Sequence, residues 1–164
     1  MITGLAHAAV CVPDVDAAVQ WYADVLGCRV LSPPYRMDGP AIERDMGELV
    51  PSPVVVKAAI VGFAVDDRVI ELIEYASTRV AEVPPSIVHA GLTHTGLLCD
   101  DIEQTRADLE GRGVTFLTAG TATVAGLRTT WFRDPWGTVF ILMEKQRDRG
   151  LPYWGQFAQN ENTF

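Results

Sequence analysis

Three side chains with the chemistry to bind a cation or move a proton stand far apart in this chain: His7, Glu71 and His94. Glu71 lies within Val69-Ile70-Glu71-Leu72-Ile73-Glu74-Tyr75, a short β-branched run that follows Asp66-Asp67 and reads as a strand buried on both faces. Side chains alternate along a strand, so Glu71 shares a face with Val69 and Ile73, while Glu74 points the other way. A carboxylate between apolar neighbours on a covered face costs several kcal/mol unless its charge is compensated. The compensation would come from a metal ion, from Lys57 or Arg68, or from water if the face is open.

Two repeats decide how the rest of the chain is organised. His7-Ala-Ala-Val-Cys-Val-Pro-Asp14-Val matches His94-Thr-Gly-Leu-Leu-Cys-Asp-Asp101-Ile position by position. The pattern of residues 69–75 returns as Val139-Phe-Ile-Leu-Met-Glu-Lys145, placing Glu144 on Glu74 but Ile141 on Glu71. A long period with two copies indicates a duplicated domain half, unlike the short, many-copy period of a solenoid.

Each copy must supply elements that hold its histidine. Residues 5–12 read as a strand, Asp14 as an N-cap, and Val15, Ala18, Val19, Tyr22 and Leu26 follow helical spacing until Gly27. A short strand at 28–31 precedes a Pro- and Gly-rich stretch, 32–53, which carries Arg44, Glu43 and Glu48 and reads as either a lid or a solvated insertion. Long strands are expected at 54–63 and 69–75. The second copy repeats this order: a strand from His94, a helix capped by Asp101, a short strand at 114–117, then strands at 126–132 and 138–144 joined by the turn Asp134-Pro-Trp-Gly137. The organisation expected is a first βαβββ module at 1–77, a linker at 78–91, a second module at 92–146 and a tail at 147–164. The fold class is α+β, with two βαβββ modules forming open, barrel-like clefts.

Composition narrows the partners. A net charge of −8 with no basic cluster argues against nucleic acid. No apolar run approaches the roughly 20 residues that cross a bilayer, and the first residues show no signal-peptide pattern. Cys11, Cys28 and Cys99 are odd in number and widely spaced, which suits free thiols in a reducing cytoplasm. Each half has edge strands and an apolar face it cannot cover alone, so a homodimer is expected.

The doubled layout, with His-Ala-Ala-Val-Cys-Val-Pro-Asp at 7–14, Trp21-Tyr22 through Leu26-Gly27, Val-Ile-Glu-Leu at 69–72, His94 and Asp-Pro-Trp-Gly at 134–137, resembles the vicinal oxygen chelate superfamily. Glyoxalase I, methylmalonyl-CoA epimerase, extradiol dioxygenases and bleomycin-type resistance proteins belong to it. The superfamily hosts many reactions on one scaffold, so the resemblance speaks to fold more than to reaction. In its metal-using members each half contributes one residue from its first strand and one from its last. The resemblance therefore implies His7, Glu71 and His94 as ligands of a divalent ion (Fe, Mn, Ni, Co or Zn), a donor set of imidazole and carboxylate that suits such metals. The fourth position is Ile141, which can neither ligate nor take up a proton, so ordinary glyoxalase I chemistry is not expected. Glu144 would replace the missing ligand only if a bulge shifted its register.

Two functions follow from that resemblance. One is a metal-dependent enzyme (isomerase, lyase, epimerase or dioxygenase type) acting on a small substrate that chelates through two neighbouring oxygens, with Glu71, a metal-bound hydroxide, Glu43 or Glu48 as base. The other is a metal-free small-molecule or drug-binding protein. Ile141, Met143, Trp131, Trp136 and Tyr75 would then line or rim an apolar cavity, and Arg44 is a further pocket candidate. The small Ala9 and Gly96 would leave room beside the two imidazoles.

Overall fold

A computed structural model of the protein describes residues 6–63, 68–78, 88, 91–124 and 127–144. The chain divides into two compact units, Met1–Val83 and Pro84–Phe164. The first contains β1 (His7–Cys11), α1 (Val15–Asp24), β2 (Arg29–Met37), α2 (Pro40–Met46), β3 (Val56–Gly62) and β4 (Val69–Tyr75). The second contains β5 (Thr95–Cys99), α3 (Ile102–Gly111), β6 (Thr115–Phe116), β7 (Ala122–Val124), β8 (Leu127–Arg133) and β9 (Val139–Glu144). Among the described residues the class is mixed α+β, with two sheets and no closed barrel.

The sheets are built alike. The first runs β1-β4-β3-β2 and the second β5-β9-β8-β6, with β7 also on β8. In each, the first strand lies parallel to the last, a pairing that needs the helical crossover between them. Asp14 caps α1 by accepting from the Ala17 amide at 3.0 Å, and Asp101 caps α3 through Gln104 at 3.0 Å. Gly27, at φ 73°, turns the chain out of α1 toward β2, a backbone conformation that costs a glycine little. The expected turn at 134–137 is present, with the Gly137 amide bonded to the Asp134 carbonyl and Gly137 at φ 96°.

One face of each sheet carries its helix. In the first unit α1 packs on β2, β3 and β4, and Val15, Ala18, Tyr22, Ala59, Val61, Ile70 and Leu72 are buried. In the second, α3 packs on β8 and β9, and Ile102, Phe132, Phe140 and Leu142 are buried, with Phe132 stacked on Phe140 at 5.2 Å between ring centroids.

Two expectations change. Residues 69–75 are not buried on both faces: Ile70 and Leu72 are buried against the helix side, while Val69, Glu71 and Ile73 are only half-buried. The helix α1 packs on the face that carries Ile70 and Leu72, so the odd-numbered side chains of β4 face away from it. The stretch 32–53 is not a single loop, because β2 continues to Met37 and α2 follows at Pro40–Met46. The prolines there hid the strand, but β2 is an edge strand whose register shifts between Val30 and Ser32 and between Ser32 and Tyr35, which is where proline is tolerated. The linker is described only at 78, 88 and 91, and the tail at 147–164 lies outside the described residues.

Candidate functional site

In the first unit the parallel pairing of β1 with β4 sets Ala9 beside Glu71 and His7 beside Val69. His7, Glu71, Ile73 and Tyr75 therefore share the face turned away from α1. On that face His7 Nε2 stands 3.2 Å from Glu71 Oε2, with side-chain exposures of 45% and 17%. The neighbour that Glu71 meets there is thus an imidazole. Lys57, the basic partner considered for it, lies on the helix side, 3.6 Å from Glu74 and 3.8 Å from Asp16.

A separation of 3.2 Å also suits two ligands of one ion. With metal–ligand bonds of about 2.0–2.2 Å and angles between about 90° and 109°, neighbouring donors stand roughly 2.8–3.6 Å apart. An imidazole nitrogen and a carboxylate oxygen suit a borderline divalent metal, so the pair fits the group that the resemblance implies. Among the described residues, no three or more His, Cys, Asp or Glu side chains gather around one point where they could hold a metal ion.

The second unit repeats the frame with other side chains. Gly96 stands beside Ile141, as Ala9 stands beside Glu71, so Ile141 occupies the Glu71 position in register as well as in sequence. His94 Nδ1 is hydrogen-bonded to Thr93 Oγ1 at 2.8 Å, and its ring meets Trp131 edge-on at 4.9 Å. The room expected beside His94 is taken: a Cβ on Gly96 would lie 2.9 Å from Met143 Cε and 3.7 Å from Ile141 Cγ2. Trp131, Ile141 and Met143 share one sheet face, because Trp131 pairs with Ile141 and Thr129 with Met143. Tyr75 belongs to the first unit, where burial, then the nearby Cys11 and Glu71, push its phenol up. Arg44 is exposed on α2. Glu43, on the same helix, accepts from Ser52 Oγ at 2.8 Å and from the Val54 amide at 2.6 Å.

Glu144 does not replace the missing ligand. The pairing of β9 runs without a bulge, and Glu144 Oε2 accepts from the Ile102 amide at 3.0 Å and from Arg128 Nη1 at 3.2 Å. Reading the sequence did not find this role, although the alignment of Glu74 with Glu144 was its signal: Glu74 Oε2 accepts from the Val15 amide at 3.0 Å in the same way. Thr93 was missed too, and its signal was the repeat position where the first copy has Ala6.

The model of the Glyoxalase/Bleomycin resistance protein/Dioxygenase superfamily matches residues 4–142. The chain belongs to this superfamily. A glyoxalase family protein from Bacillus cereus is similar in structure at a TM-score of 0.74 and 16% identity, over 88% of this chain and 95% of that one. A superfamily member from Sphaerobacter thermophilus matches at 0.59 and 25% identity, over 88% and 98%. Glyoxalase I from Zea mays matches at 0.61 and 20% identity, over 85% of this chain and 43% of that longer protein. No curated protein sequence matches the chain. No described helix is long and apolar enough to cross a membrane.

Proposed function

We propose that this superfamily member is a divalent-metal enzyme acting on a small organic substrate that presents two neighbouring oxygens, with His7, Glu71 and His94 as the protein ligands. The observation that carries the reading is the His7–Glu71 pair, at ligand spacing on the sheet face turned away from α1. When bound, the ion supplies Lewis acidity to the chelating oxygens. The protein's own part is to hold the donors. His7 and Glu71 are fixed by adjacent paired strands, and His94 stands at the matching repeat position. Glu71 is the one carboxylate of this set and the base by default, since Ile141 cannot accept a proton and Glu144 is engaged at the start of α3. For that reason the activity assigned is not the ordinary glyoxalase I reaction. The protein acts as a homodimer in which His94 comes from the second copy, and its three free thiols suit a reducing cytoplasm.

A second reading is favoured by one observation. Met143 closes over Gly96 and Trp131 packs on His94, giving the second unit an apolar, aromatic face that suits a metal-free binding protein. Elemental analysis of protein purified without chelator, followed by titration with Fe, Mn, Co, Ni and Zn, decides between them. One equivalent bound supports the enzyme, and sub-stoichiometric binding of every metal supports the binding protein.

A further inference from the structure

The two halves orient their histidines by different means. In the first half the ring of His7 is addressed at Nε2 by Glu71, 3.2 Å away. In the second half the equivalent of Glu71 is Ile141, which has nothing to offer an imidazole. There the contact is made at the other nitrogen, where Thr93 Oγ1 lies 2.8 Å from His94 Nδ1. The first repeat has Ala6 where the second has Thr93, so the hydroxyl appears in the half that lacks the carboxylate. The ring is also held by the edge-on contact with Trp131.

We propose that Thr93 is the positioning residue of His94, accepting a hydrogen bond from Nδ1–H and so leaving the Nε2 lone pair as the donor atom. A neutral imidazole has one N–H and one bare nitrogen; a hydroxyl can accept from Nδ1–H or donate to a bare Nδ1, and only the first arrangement leaves Nε2 free to ligate. Trp131 limits the ring's rotation but does not distinguish the nitrogens, because its contact is with the ring as a whole. The inference rests on the metal reading above in one respect: it names the nitrogen that the ion would use.

The test compares wild type with Thr93→Val, which keeps the shape and removes the hydroxyl, and with Thr93→Ser, which restores it. Long-range nitrogen–proton correlation spectra of protein labelled with nitrogen-15 histidine, recorded at pH 8.5 without metal, report the tautomer directly. His94 is expected to be in the Nδ1–H form in wild type and in Thr93→Ser, and to become a mixture in Thr93→Val. Titration with Co2+ is expected to show affinity lower by roughly 10- to 100-fold in Thr93→Val, the usual effect of losing an outer-shell partner, with recovery in Thr93→Ser. A wild type that binds Co2+, with Thr93→Val unchanged in tautomer and affinity, overturns the positioning role and leaves the metal reading standing. A wild type that binds no Co2+ overturns the metal reading, and the role of Thr93 as orienter of a ligand falls with it.

Discussion

Glu74 and Glu144 make the same bond in the two halves: each carboxylate reaches from the last strand to the first amide of the helix, Val15 in one and Ile102 in the other, both at 3.0 Å. Each is also met by a cation, Lys57 at 3.6 Å and Arg128 at 3.2 Å. A carboxylate at a helix N-terminus accepts from an orphan amide and faces the positive end of the helix dipole. Hydrogen bonds of this charged kind contribute about 1.5–3 kcal/mol. Glu74→Ala and Glu144→Ala are therefore each expected to lower stability by about that amount in urea denaturation, with metal affinity retained by the folded protein.

Glu71 is expected to behave in the opposite way. Its side chain lies on the half-open face, and the change Glu71→Gln keeps its shape. Glu71→Gln, His7→Ala and His94→Ala should each stay folded and lose most bound metal, read by elemental analysis. Full occupancy in all three would place the ion elsewhere.

If the site joins His7 and Glu71 of one copy to His94 of another, inactive variants should complement. Glu71→Gln and His94→Ala homodimers bind little metal alone. Mixed and reassociated, their heterodimers contain one site carrying both changes and one fully wild-type site, so one ion per heterodimer is expected. A site within one chain gives no recovery, and a monomer by light scattering removes the premise.

Gly96 and Met143 are expected to be energetically coupled. A Cβ at residue 96 displaces Met143 Cε, the free end of a flexible side chain, so Gly96→Ala should cost about 1 kcal/mol. In the Met143→Ala background that part of the cost should vanish, a coupling on the order of 0.5 kcal/mol or more in a double-mutant cycle.

Burial pushes the Cys28 thiol from 9.0 up to about 12. A group whose folded pKa is raised favours the folded chain below its unfolded pKa, and this contribution is lost as pH rises toward the folded value. Stability should thus decline from about pH 9 to 12, less steeply in Cys28→Ala. At pH 8, Cys28 should react with a disulfide reagent only after unfolding, since the thiolate is the nucleophile.

The doubling was legible because it is written in short local patterns: a capping Asp seven residues after each histidine, and a glutamate at or next to the end of each last strand. The placement of Ile141 on Glu71 followed from the repeat alone, and the strand register agrees, with Gly96 beside Ile141 as Ala9 is beside Glu71. The burial of residues 69–75 was not legible, because an apolar run looks the same whether one face or two are covered, and the helix layer that decides it lies elsewhere in the chain. The extension of β2 was concealed by Pro33 and Pro34, whose strand-breaking signal does not reveal that among the described residues this strand lies at the edge of its sheet. The contacts of Thr93 and Met143 depend on side-chain direction across paired strands, which residue type does not fix.

Those same prolines have a consequence for how the molecule meets others of its kind. An outermost strand offers a row of free amides on which a stray strand could begin to pair. At Pro33 and Pro34 two consecutive residues have no amide proton, and the ladder beside them is already out of step. An incoming strand would find its bonding interrupted within a few residues, so crowded, newly made chains are discouraged from polymerising through this edge.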